Sequence, residues 1–431
     1  MQHSTVQGLI LNDSSTEPRL DTLLNVGGSA NVIACNFIGP DSDGISISSH
    51  NSYGVVVESG STGTIIDRNV ITGSGVNVSI NENASNVTLT GNYIGLGANG
   101  LPPAVSANQA SIDVFIQGFD VHIGGSMPAQ RNVIAGATYA IYIQIEGHDI
   151  KITGNYIGTD ASGTQKAKTL RGIHIGGYSV QVGGSGAGEG NVISGNDLEA
   201  ILLSSYQPPA NTQAKIQGNY IGVTASGVDP LPNGVGVFVN GQDNANVRNI
   251  IGMDGIAPEL DSERNIIAGS KWENIYLLVS RGQLIAGNYV GLNINGDIIG
   301  GGTGIRLIGS SHIQIGTGSA EGANIIAGHT GDGIVIEPYP NSVAYDFGNT
   351  VSLNSIYGNG GLGIRVAGGA NHGITQPVLT GVSGSNTING YIGDATTTDL
   401  VVELFVNDEC DRPNYGEGQE YIAFSGVDEE I

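Results

Sequence analysis

Asp113, Tyr142 and His174 each follow an aliphatic residue in a short alternating run (IDVFI, AIYIQIEG and GIHIGG), and successive runs lie about one repeat apart. Stacked on neighbouring turns, a phenol and an imidazole would make an acid and base pair able to carry β-elimination from a uronic acid. Gln144 and Glu146 would stand beside them. The catalytic candidates are therefore Tyr142, His174, Asp113 and Glu146. The competing reading is that they are solvated residues on a sheet face, since any mixed column yields such a group by chance.

A second set is aromatic. Tyr93, Tyr156, Tyr220 and Tyr289 follow an Asn in GNYIG or GNYVG, and Phe37 does so in CNFIG. Pointing outward on alternate turns, such rings would lie about 10 Å apart, near the span of two sugar rings. Tyr93, Tyr156, Tyr220 and Tyr289 are thus candidates for carbohydrate stacking. Alternatively each ring packs under the loop that follows it, such as TDASGT after Tyr156.

Metal chemistry is weakly represented. PDSDG at 40–44 and NDECD at 407–411 gather oxygens that would suit Ca²⁺, yet neither matches the twelve-residue Ca²⁺ loop or the Gly-rich nonapeptide. The isolated His residues of GHD and GHT have no partner at ligand spacing. No metal site and no cofactor is read, with Ca²⁺ the one ion that these runs leave open. Cys35 takes the Gly slot of GNYIG and Cys410 lies near the far end, so no disulfide is expected between them.

Composition frames these candidates. The chain has 431 residues, 70 of them Gly, with only 13% charged, which favours an extended repeat array. Fifteen Lys+Arg against 39 Asp+Glu give a formal charge of −24, which repels polyanions and excludes nucleic acid as a partner. No apolar run approaches bilayer length, so no membrane insertion is expected. MQHSTVQGLIL lacks the basic start and long apolar stretch of a secretory leader, so export is not read from it.

The elements that position these residues follow from one recurring corner. Asn, any residue, then Ile or Val occurs at Asn36, Asn69, Asn92, Asn132, Asn155, Asn191, Asn219, Asn265, Asn288, Asn324 and Asn354, a mean step of about 32 residues. Short and long steps mostly alternate, making a two-turn unit. Two alternating β-branched runs precede each Asn, as in GIHIGG and SVQVGG before Asn191. Three strands per turn result. The aliphatic residue after the corner fills the core, and the Asn amides stack as a ladder, with Asn expected to supply the left-handed backbone of the bend.

With GNYIGTDASGT and NVISGN on the page, residues 8–370 resemble the right-handed parallel β-helix repeat proteins of secreted and surface bacterial origin, a pectate-lyase-like superfold. The resemblance implies an all-β fold of about eleven or twelve right-handed turns and an extracellular or cell-surface location. It does not carry over an active site. Pectate-lyase-like enzymes combine an acidic Ca²⁺ cluster with a basic residue, and polygalacturonase-like ones carry Asn-Thr-Asp, Asp-Asp, Gly-His-Gly and Arg-Ile-Lys runs, none of which occurs here.

Residues 1–373 are read as the array and 374–431 as an acidic β segment whose last strand has no evident partner, so flanking domains of a longer polypeptide are expected. The leading functional expectation is a structural spacer, adhesin or carbohydrate-binding module with a polysaccharide partner. The alternatives are a polysaccharide lyase, epimerase or glycosidase working on the first-strand face, and a phage or virion spike.

Overall fold

The computed structural model describes residues 3–12, 22–47, 51–103, 110–204, 213–241, 247–255, 260–340, 347–375, 377–383, 387–391, 401–407 and 417–426. Three sheets of twelve strands run along the chain, with every third strand paired to the next in the same sheet. All these pairings are parallel, as Tyr142 opposite His174 and Ile150 opposite Val180 illustrate. The rung preceding Asn196 shows the order: Arg171–Ile175 lies in sheet I, Tyr178–Gly183 in sheet II and Val192–Ile193 in sheet III. Twelve rungs at about 4.8 Å each make a rod roughly 50 Å long. This is the right-handed β-helix that the repeat predicts.

Alternating residues turn their aliphatic side chains inward, and parallel register stacks them. In sheet I, Val78, Val114, Ile141, Ile173, Ile201, Val237, Ile275 and Ile305 pair rung to rung. All are completely buried. The residues two after each ladder Asn, from Ile38 to Ile356, are buried in the same way. Each such side chain contributes about 1.5–3 kcal/mol through burial.

The Asn ladder is continuous. Each Nδ2 from Asn36 to Asn324 donates to the Oδ1 of the next Asn at 2.7–3.1 Å. The same Oδ1 also accepts the backbone N–H of the preceding Asn, and Nδ2 gives its second hydrogen to a main-chain carbonyl, as Asn155 does to Ile123 at 2.8 Å. Every polar group of the corner is thereby satisfied out of reach of water.

One detail corrects the sequence reading. The left-handed residue is not the Asn but the one before it, Gly91, Gly154, Gly218 and Gly287, with Cys35, Arg68 and Leu353 adopting positive φ at the equivalent place. The Asn is reserved for hydrogen bonding, and Gly removes the Cβ that would collide: at Gly154 it would come within 2.1 Å of the Gly125 carbonyl oxygen.

The two-turn period has its own cause. Loops after Asn36, Asn92, Asn155, Asn219 and Asn288 reach across the intervening turn and bond to one another, through Ala98 N–H to Gly44 O, Ala161 to Gly100, Ala225 to Gly163 and Ile294 to Gly227. Three of them are small antiparallel hairpins set on edge, pinned by Thr159 opposite Lys166, Val223 opposite Pro230 and Leu292 opposite Ile298. Such loops span about 10 Å each, so alternate turns must keep theirs out of the way.

The ends differ. At the front, Leu9 stands where a ladder Asn would be; its N–H donates to Asn36 Oδ1, and its side chain is half exposed. At the far end, Val401–Val406 pairs antiparallel with Glu420–Gly426, so the final strand expected to lack a partner has one. This hairpin lies on the last rung. Glu403 accepts from Ser352 Oγ and Leu353 N–H, Glu417 accepts from Asn359 N–H at 3.0 Å, and Gly418 O accepts from Ile356 N–H. A second antiparallel pair joins Val378–Ser383 to Thr387–Tyr391. Among the described residues no helix is long and apolar enough to cross a membrane. Cys35 is a free, exposed thiol; Cys410 lies outside the described residues.

Candidate functional site

Parallel register settles which candidates meet. Tyr142 lies opposite His174 in sheet I, as the alternation predicts. The rings meet edge to face, with centroids 4.5 Å apart and planes at 83°. Tyr139 stacks on His174 at 5.7 Å and stands edge-on to Tyr142 at 5.1 Å, while Phe115 flanks Tyr142 on the preceding rung. Around this aromatic cluster, Arg171 Nε donates to Glu199 Oε2 at 2.7 Å and its guanidinium lies over the Tyr139 ring. His174 Nε2 meets the Ser204 hydroxyl.

Electrostatics restrict what the cluster can do. Burial, reinforced by the Arg171 charge, lowers His174 to about 4. The imidazole is therefore neutral at ordinary pH and a weak base. Burial, with Tyr139 beside it, raises the Tyr142 phenol above its ordinary value, so it keeps its proton. Neither shift favours proton abstraction at neutral pH.

Asp113 does not join them. Ile112 pairs with Tyr139 and Val114 with Ile141, so the residue beside Tyr142 on that rung is Phe115. A bend at the start of each sheet I strand turns Asp113 inward, where it is completely buried and accepts from Asn77 Nδ2 at 2.7 Å. Burial raises it well above the usual carboxylate range. Glu146 sits exposed on the turn after the strand, with no bond to either ring among the described residues. Of the four catalytic candidates, only Tyr142 and His174 come together.

The same bend hid Tyr139, Arg171 and Glu199 from the sequence reading. Strict alternation places the outward neighbour two residues back; the bend places it three back, at Tyr139 from Tyr142 and at Arg171 from His174. The recurring pattern of one half-buried residue, two buried, one half-buried and one buried in these strands is the signal that finds them.

Further along the same face, Phe238 and Tyr276 stack with centroids 4.7 Å apart. Arg306 then bridges Glu273 and Glu337, and Arg365 bridges Asp332 and Glu337. Trp272, 42% exposed, rims this part of the face with Lys271 against its ring.

The four tyrosines after ladder Asn residues occupy sheet III, all half-buried. A Cβ on Gly163 would come within 2.8 Å of the Tyr156 ring, and one on Gly227 within 3.0 Å of Tyr220, so each of these rings lies against its own loop. Arg131 covers Tyr156 at 4.2 Å, and Arg264 covers Tyr289 at 4.4 Å. Tyr93 packs with Leu96 and Val133. The geometry is of rings seated beneath loops rather than an open row.

Among the described residues no group of three or more His, Cys, Asp or Glu gathers as a metal site. In PDSDG, Asp43 accepts from Ile45 N–H, Ser46 N–H and the Ser46 hydroxyl, which ties the turn and lowers its pKa. The acids of NDECD lie outside the described residues.

No family model matches the chain, and no curated protein matches it. Solved structures similar to it include the Dettilon tailspike protein (gp208), at 15% identity and TM-score 0.47, covering 99% of this chain and 83% of that one. The A-module of the Azotobacter vinelandii mannuronan C-5 epimerase AlgE4 gives 14% and 0.32, over 80% of this chain and 87% of its own. PfbA, a surface adhesin of Streptococcus pneumoniae, gives 12% and 0.32, over 84% and 76%. Identities and overlaps this low carry nothing over to the chemistry of this chain. The three twelve-stranded parallel sheets and the unbroken Asn ladder stand on their own coordinates: the chain is a right-handed parallel β-helix repeat protein.

Proposed function

We propose that this β-helix is an extracellular or cell-surface module that binds a polysaccharide along the outward face of sheet I, and so serves as a rigid spacer or adhesin. The observation that carries the reading is the Tyr139, Tyr142 and His174 cluster bordered by the Arg171–Glu199 pair. Half-buried rings supply apolar faces for sugar C–H groups, and fixed donors and acceptors at their edge meet hydroxyls. The β-helix holds these groups on a rigid backbone, which lowers the ordering cost of binding. The resemblance to secreted and surface repeat proteins supports the setting.

The enzymatic alternative is less well supported, since Asp113 is withdrawn into the corner and His174 is a weak base. The test is a glycan array, followed by titration of the hits against the protein and its Tyr142→Ala variant. Binding weakened by the substitution supports the module; ultraviolet-absorbing unsaturated product from a polyuronate, abolished by Tyr142→Phe, would replace it with a lyase.

A further inference from the structure

We infer that the sheet I face takes an uncharged polysaccharide rather than a polyuronate, an inference that rests on the proposed binding role of that face. The chain carries a formal charge of −24, yet the twelve strands of sheet I carry three Arg (Arg171, Arg306, Arg365) and, besides the buried Asp113, three acids (Glu199, Glu273, Glu337). The face is therefore neutral on a strongly acidic molecule. Locally each Arg is paired, and with Asp332, which joins Arg365 from the turn before Ile334–Glu337, the far end holds three acids against two Arg, so the paired groups leave no net positive charge.

Arg171 is held by Glu199 at 2.7 Å, Arg306 by Glu337 at 2.8 Å and Glu273 at 3.2 Å, and Arg365 by Asp332 at 2.6 Å and Glu337 at 3.1 Å. All of these groups are partly buried. A uronate carboxylate arriving here would have to displace a seated acid, gaining one charge-assisted bond by breaking another, against the long-range field of the whole chain. A hydroxyl has no such conflict. It can donate to a free lone pair of Glu199 or accept from an N–H of Arg171 while the ion pair stays intact. The neutral imidazole of His174 and the protonated phenol of Tyr142 add polar edges without charge. The three Arg residues thus act as rigid hydrogen-bond donors oriented by their acids, not as anion receptors.

The test uses the intact chain on an array carrying both neutral and uronic-acid oligosaccharides, with titration at low and high salt. Neutral ligands are expected to bind with affinities that change less than about twofold between the two salt conditions, because no net charge is exchanged. Glu199→Gln, checked for native circular dichroism, is expected to release Arg171 and raise uronate binding several-fold. Selective, salt-sensitive binding of uronates by the unaltered chain would overturn the inference while leaving the binding role intact. Absence of binding to any glycan would remove both.

Discussion

The Tyr142 and His174 rings meet at 83° with centroids 4.5 Å apart, one rung from each other on the rod. That contact, which parallel register sets, makes the pair a fixed aromatic step on the sheet I face. Truncation of Tyr142 to Ala should reduce glycan affinity by roughly tenfold, the cost of losing one central aromatic anchor. The thermal midpoint should hardly change, because the ring stands outside the core. Titration calorimetry and a melting curve on the same samples check both halves.

The ladder should be far less forgiving. Asn155→Ala removes the acceptor of Asn132 Nδ2 and N–H and the donor to Asn191, leaving buried polar groups unpaired in the middle of the rod. Each orphaned group costs about 1–3 kcal/mol, so denaturant unfolding should show a loss of several kcal/mol. A loss below about 1 kcal/mol would mean that water enters the corner freely.

Acid should act through the histidines. His329 is 2% exposed, receives Asn274 Nδ2 on Nε2 and donates from Nδ1 to Asn359, and burial lowers it to about 4. In the unfolded chain a His takes up its proton near pH 6.5, so between there and pH 4 the unfolded state binds more protons than the folded one. Stability from this residue is complete above about pH 6.5 and falls by about 3 kcal/mol on descent to pH 4. His329→Asn, which keeps an amide at the corner, should flatten that part of the profile in urea titrations at successive pH values.

The terminal hairpin should protect the last rung. Glu403→Ala with Glu417→Ala removes acceptors for Leu353 N–H and Asn359 N–H. Hydrogen exchange is expected to accelerate over 352–359 and to stay slow at the middle rungs, and light scattering should reveal association through the uncovered strand edges. Unchanged exchange in the double variant would mean that the hairpin contributes nothing at this end.

Much of this was legible in the chain itself because a solenoid repeats its physics. Ile157 and its counterparts had to be inward because the same corner recurs eleven times, and the fold follows from that one constraint. Asp113 was misplaced for an equally local reason. The bend that opens each sheet I strand adds a residue to the alternation, and a run as short as IDVFI contains nothing that marks it. The left-handed role assigned to Asn belongs to the residue before it, since an amide committed to two neighbours has no freedom left for the turn. Tyr139, Arg171 and Glu199 become a group only when three rungs are superposed, which register supplies and spacing alone does not.

The ladder also has a direction. From Asn36 to Asn324 every side-chain amide offers one hydrogen to the Oδ1 of the higher-numbered rung and accepts on its own Oδ1 from the lower one, so the C=O dipoles point the same way and add, each polarising the next. The rod thereby resembles a weak electret, electropositive where the series runs out of oxygen atoms. The carboxylates of Glu403 and Glu417 lie at that same end, on the Leu353 and Asn359 N–H groups, while the last ladder amide, Asn354, gives its hydrogens to the Ile315 and Ser352 carbonyls.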